Sequence, residues 1–152
     1  MLESLTTLQK NLTRINTDKI FKAVWSNTLV QDFIIDLNTN QQLRKGKTAT
    51  GDDVGQYRSD VYAAAKQLLP GREAPEGVVD LVVTGTFYST FDIIVTNKGF
   101  EIQAQTDIYD FDFINLYGSD ILGLTTENIN KLVVFIFPFF LEEFENQVFN
   151  GV

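Results

Sequence analysis

The sequence predicts an α+β fold with N-terminal helices, an antiparallel β-hairpin or sheet with a glycine bend, and a C-terminal helix packed on the sheet. Apolar residues before position 38 recur at three- and four-residue steps, the spacing of one helix face. From residue 78 the apolar period changes to two, which is typical of β-strands. A last apolar run follows a helix-start signal at Thr125. With 152 residues and 44% hydrophobic content, the chain is expected to form a single domain over 1–152.

Two amphipathic helices are predicted before residue 38. In the first, Leu5, Leu8 and Leu12 lie on one stripe. The second helix is expected to begin at a cap formed by Thr17 or Asp18 and to carry apolar residues four apart from 21 to 37.

The segment 38–55 is predicted to be an extended loop, because it is polar and contains three glycines. Its apolar surface is too small to offset an ordering cost of roughly 1–2 kcal/mol per residue. We therefore expect it to be mobile in the isolated subunit and to become ordered against a neighbouring subunit. The candidate contact residues in and beside this loop are Arg44, Lys45, Lys47, Asp52, Asp53 and Tyr57.

A short helix capped by Ser59 or Asp60 is expected next, and an apolar strand over 78–83 follows it. Thr84, Gly85 and Thr86 interrupt the strand pattern. We interpret them as a bend or bulge in which the glycine lets the strand change direction. The run 87–95 then pairs with 100–105 across a tight turn at 97–99, with one face of the hairpin exposed to water.

The last helix is expected to run from about residue 126 to 147. Its apolar run, 132–141, is about half the roughly twenty residues that a membrane span needs, and it contains Pro138. This run is therefore predicted to be buried against protein, so that Phe137→Asp would abolish soluble expression. The N-terminus lacks a basic region followed by a long apolar core, which predicts synthesis in the cytoplasm without a signal peptide.

Composition excludes several classes of site. The chain has no Cys and no His, which removes thiolate nucleophiles, Cys-ligated zinc and imidazole general bases. A net charge of −8 is the wrong sign for a general nucleic-acid binder. Catalysis by Asp, Glu, Lys or Tyr remains open, but the composition favours a protein that is not an enzyme and has no cofactor.

An acidic cluster provides the main alternative. Asp107, Asp110, Asp112 and Asp120 could bind a hard cation such as Ca²⁺ or Mg²⁺. Their spacing matches no calcium loop, and the apolar residues between them are typical of a strand or a packed loop. A metal-binding domain or carboxylate enzyme therefore stays an alternative, as does a soluble adaptor that binds a partner through 38–55.

The order of these pieces resembles the small neck and tail-completion proteins of tailed bacteriophages, the rings that connect head and tail. The similarity covers residues 51–144. The matching residues are Asp53, Gly55 and Tyr57 in the loop, Lys66 in the short helix, Leu81, Thr84, Gly85, Phe87 and Ser89 or Thr90 at the bend, and Gly123, Leu124, Thr125 and Glu127 at the last helix start. The chain departs from the pattern where Asp-Val-Gly replaces Asp-Gly and where Phe87 replaces an aliphatic residue. The amino-acid sequence around 36–46 also resembles segments of proteins encoded by Bacteroidetes phages, including the crAss-like group.

This resemblance implies a structural virion protein that forms a homomeric ring at the junction between portal and tail. Its partners would be further copies of itself, the portal, and adjacent ring or tail proteins, with no membrane. The protein would be made in the host cytoplasm and located in the neck or tail region of the virion. Double-stranded DNA would pass through the ring without sequence-specific binding, because a negatively charged wall does not trap phosphates.

Overall fold

The computed structural model describes residues 2–108 and 110–150 and has an α+β architecture, as the sequence predicts. Its helices are α1 (Leu2–Leu12), α2 (Thr17–Ser26), α3 (Thr28–Thr39), α4 (Asp60–Gln67), α5 (Thr86–Ser89), α6 (Phe113–Tyr117) and α7 (Thr126–Glu145). Its strands are β1 (Asp92–Thr96), β2 (Gly99–Gln103), β3 (Asp107–Ile108) and β4 (Phe111–Asp112). Two 3₁₀ turns, Leu43–Lys45 and Ser119–Ile121, and a π-helical turn, Asn146–Asn150, complete the described elements.

The predicted second helix is in fact two helices that meet at Asn27. The Asn27 backbone is extended, and its side chain accepts a hydrogen bond from the Leu29 amide at 2.9 Å, so that Asn27 ends α2 and caps α3. The cap of α2 is Asn16, which accepts from the Lys19 amide at 3.0 Å. The predicted cap residues Thr17 and Asp18 lie inside the first turn. The four-residue apolar spacing continues across the break, which explains why periodicity missed it.

The predicted hairpin is confirmed over β1 and β2, but its first strand is shorter than the predicted run 87–95, because Thr86–Ser89 form the helical turn α5 and the strand begins at Asp92. Strands β1 and β2 are antiparallel, Thr96 pairs with Gly99 across a two-residue turn, and Ile93 faces Ile102. Glu101 and Gln103 are exposed to solvent, so the hairpin has the one water-exposed face that was predicted. A second, shorter antiparallel pair joins β3 and β4.

The predicted strand over 78–83 is wrong. Only an isolated bridge between Gln56 and Val78 pairs this extended segment, and Leu81 has a left-handed φ of 54°. The chain does change direction at Gly85, whose φ of 83° favours glycine. Gly85, however, leads from the extended segment into the helical turn α5 rather than forming a bulge within a strand.

Two clusters of buried residues form the core. One joins Leu43, Val79 and Phe87 to residues around α6. The other joins α2 and α3 to Ile93 of the hairpin and to Ile136 of α7, so the C-terminal helix packs on the hairpin as predicted. Ring contacts reinforce this second cluster, with Trp25 and Phe100 centroids 5.0 Å apart.

The outer face of α7 departs from the prediction of burial. Thr125 caps the helix as predicted, accepting from the Asn128 amide at 3.2 Å. However, Val134 is 75% exposed and Phe137 is 58% exposed, and Val133 is exposed beside them. One helical stretch, 119–150, is long and apolar enough to cross a membrane by length and composition alone. Mostly buried core helices of soluble proteins pass the same test, but only 17% of the apolar window of this stretch is buried.

Candidate functional site

After Thr39 the segment 38–55 is a long irregular connection, as its composition predicts, but it is packed against the same chain. Helix α3 continues to Thr39, a 3₁₀ turn follows, and the side chain of Leu43 is fully buried together with Val54. The segment thus packs into the same chain without the help of a neighbour. The chain itself supplies contacts that composition did not predict for this segment, and its mobility in the isolated subunit stays a prediction.

Buried amide side chains supply the contacts that apolar residues do not. The Gln42 amide donates to the Gly123 carbonyl at 2.8 Å and its oxygen accepts from the Thr125 amide at 2.9 Å. Asn38 accepts from the Gly123 amide at 3.2 Å, and Asn128 donates to the Leu37 carbonyl at 2.9 Å. Because these polar groups are hydrogen-bonded, their burial carries little penalty.

Gly46 allows this segment to close against residues 74–79. Its φ is 75°, and a Cβ at this position would overlap the Val78 side chain and lie 3.3 Å from that of Ala74. The Gly46 carbonyl also accepts from the Val54 amide at 2.8 Å. A side chain at position 46 would therefore be strained by both backbone conformation and space.

The predicted contact residues are dispersed. Lys47 and Asp53 form an exposed ion pair at 2.8 Å, and Asp52 accepts from the Thr50 hydroxyl at 2.8 Å. Lys45 is exposed. Arg44 is half-buried, and its Nε has no hydrogen-bond partner among residues 2–108 and 110–150. Tyr57 joins a different group of residues.

That group is a buried ion cluster centred on Asp80. The Asp80 carboxylate is bound by Arg72 at 2.6 Å and by Lys66 at 3.2 Å, and the three side chains are all at most 6% exposed. Tyr57 donates its hydroxyl to Asp80 at 2.9 Å, and the Val82 amide donates at 3.1 Å. The sequence interpretation placed Asp80 in an apolar strand and missed the cluster. A single carboxylate within an apolar run was the signal that could have found it.

Further hydrogen bonds tie the cluster to the backbone. Lys66 also donates to the Val82 carbonyl, and Arg72 donates to the Val78 carbonyl at 2.6 Å. Burial, together with the negative charge of Asp80, raises the pKa of Tyr57 to about 12. Burial likewise raises the pKa of Tyr88, whose hydroxyl donates to the Asp80 carbonyl.

An aromatic cleft of about 650 Å³ lies beside this cluster. It is formed by α4, the segments 54–58 and 79–83, and the region of β4 and α6. Its lining includes aromatic, aliphatic and basic side chains: Tyr57, Arg58, Tyr62, Val83, Phe111 and Leu116. The rings of Tyr57 and Tyr62 meet edge to face with centroids 5.1 Å apart. The cleft is therefore a concave, mostly apolar surface with Arg58 and Lys66 as its basic lining residues.

The acidic residues singled out in the sequence do not converge on one point. Asp107 and Asp112 face each other across the β3–β4 pair, but Asp112 caps α6 by accepting from the Asn115 amide at 3.1 Å. Asp110 lies between β3 and β4 with a φ of 63°, and Asp120 lies in the second 3₁₀ turn. In the part of the chain that the structure describes, no three potential metal ligands of the His, Cys, Asp or Glu types lie together.

No protein-family model, curated protein or solved structure matches this chain.

Proposed function

We propose that this chain is a structural subunit of a tailed-phage neck, forming a homomeric ring at the head-tail junction. The observation that carries this proposal is the exposed apolar face of α7, formed by Ile129, Val133, Val134, Phe137 and Leu141. Contiguous exposed apolar surface on a folded domain marks an interaction site. A second copy of the chain covering this face is what a ring subunit requires.

Charge and chemistry support the same proposal. A net charge of −8 suits the wall of a channel that DNA passes through, since like charge does not retain phosphates. The Asp80 cluster is fully engaged in hydrogen bonds within the chain, which favours a structural role for it over catalysis. The resemblance of the sequence motifs at 53–57, 84–90 and 123–127 to those of phage neck and tail-completion proteins suggests the location, although the strand expected before the bend is absent.

A soluble adaptor is the second candidate, because the same α7 face could bind one different partner. Imaging separates the two functions. Antibodies raised against the purified chain are applied to phage particles produced from the genome that encodes it. Gold label at the head-tail junction is the expected result, with a ring of this chain visible in averaged images. Particles that lack the chain overturn the proposal and favour the adaptor.

A further inference from the structure

The outer face of α7 has the form of a helical docking segment. Val134, Phe137 and Leu141 follow the spacing i, i+3, i+7, which places them along one side of the helix. Their exposure leaves this side without cover from the chain itself. The exposed Glu142 and Glu145 follow at the C-terminal end, so the face is apolar with an acidic end.

The aromatic cleft has the complementary form. It is concave, and its volume of about 650 Å³ is sufficient for several apolar side chains. Arg58 and Lys66 lie in its lining, and Lys66 shares a single carboxylate, Asp80, with Arg72. The cluster therefore leaves one net positive charge next to the cleft.

The charges beside the α7 face favour a second copy of the chain over a lipid surface as its binding partner. Helices that lie on membranes carry Lys and Arg beside their apolar face, because anionic head groups attract them. The α7 face instead ends in carboxylates, which anionic head groups repel. A basic, aromatic cleft attracts carboxylates. This chain has such a cleft, and the cleft shares no residue with the α7 face.

We infer that the α7 face of one copy, centred on Val134, Phe137 and Leu141, docks into the aromatic cleft of the next copy. This inference rests on the proposed ring and names the two surfaces of its repeating contact. The two surfaces differ, so the contact is head-to-tail, and a contact of this type generates rings when its rotation closes.

Three matched variants test this contact by sedimentation and native mass spectrometry of the purified chain. Val134→Lys alters the α7 face, and Val83→Lys alters the cleft, where Val83 is 65% exposed. Val61→Lys is the control, because Val61 is 82% exposed on α4 and lines neither surface. Each exposed position tolerates lysine without a change in the core, which circular dichroism checks.

The expected results are specific to a head-to-tail contact. Val134→Lys and Val83→Lys should each weaken self-association by about 10- to 100-fold, and the control should associate like the wild type. Mixing the two interface variants should produce particles of two chains and no larger ones. The Val134→Lys chain still offers an intact cleft, and the Val83→Lys chain still offers an intact α7 face.

Several outcomes overturn the inference. Loss of association in Val134→Lys alone would mean that α7 pairs with itself, and failure of the mixed variants to pair would exclude a head-to-tail contact. Flotation with vesicles of phosphatidylcholine and phosphatidylglycerol that Val134→Lys alone abolishes would assign the face to lipid. A wild-type chain that stays monomeric up to about 1 mM also overturns it. Label at the virion neck together with any of these results would leave the proposed ring standing and this contact refuted.

Discussion

The substitution Asp80→Asn tests how far the buried ion cluster stabilises the fold. Asparagine keeps the size of the side chain and can still accept hydrogen bonds from Tyr57 and the Val82 amide. It removes the only negative charge that the cluster offers to Lys66 and Arg72, whose side chains are 6% and 3% exposed. These two cations would then remain buried without a counter-charge.

Breaking a buried ion pair by removing one partner costs about 3–5 kcal/mol, because the remaining charge has lost both water and its partner. The Asp80 cluster contains two such cations, so we expect a loss of at least about 3 kcal/mol. A domain of this size has a free energy of unfolding of about 5–15 kcal/mol. The variant should therefore lose a large part of its stability.

Guanidinium unfolding followed by circular dichroism measures this loss, provided that the slope of the transition is unchanged. Asp53→Asn is the matched control, since it removes a carboxylate from the Lys47 pair at 2.8 Å, whose side chains are more than 40% exposed. That exposed pair should contribute at most about 1 kcal/mol. A loss below about 1 kcal/mol in Asp80→Asn, or equal losses in both variants, would refute the reasoning.

Three further predictions follow from burial and charge. The Phe137→Asp variant should remain folded and soluble, because Phe137 is largely exposed. An insoluble variant, or a large fall in its melting temperature, would contradict this. Leu43→Ala should lower the free energy of unfolding by about 2–5 kcal/mol, and a neutral result in denaturant titration would mean that 38–55 is not packed. Absorbance at the phenolate band should show Tyr57 ionising near pH 12, as the difference between wild type and Tyr57→Phe. Because folding raises the pKa of Tyr57, protonated Tyr57 contributes to the stability of the folded chain. This contribution is complete below about pH 10 and is lost as the pH rises towards 12.

Local signals explain what the sequence predicted correctly. The caps at Ser59 and Thr125 depend on residues only three positions away, so each can be recognised without knowledge of the fold. The β1–β2 hairpin is equally local, since a two-residue turn sets its register. The α+β class followed from these elements, although the change in apolar period at residue 78 falls on a segment that forms no strand.

The errors arise where the outcome depends on distant partners. The run 78–83 has the composition of a strand, but a strand forms only if a neighbour pairs along it. Here only Val78 and Val79 form backbone pairs with another segment, 55–56. Asp80 turns inward to Arg72 and Lys66, whose positions along the chain gave no sign of convergence. The cleft was likewise unpredictable, because it joins α4 to residues around 111–117.

The burial of Gln42 and Asn38 changes where assembly contacts are expected. Composition favoured a mobile loop at 38–55 that a neighbour would order, at a cost of roughly 1–2 kcal/mol for each residue ordered. Hydrogen bonds from these amides to residues 121–125, together with the burial of Leu43 and Val54, offset part of that cost within one chain. The α7 face and the aromatic cleft belong to elements that are packed before any neighbour arrives. Surfaces formed in advance bind with less loss of conformational entropy, so they are better suited than 38–55 to hold a ring together.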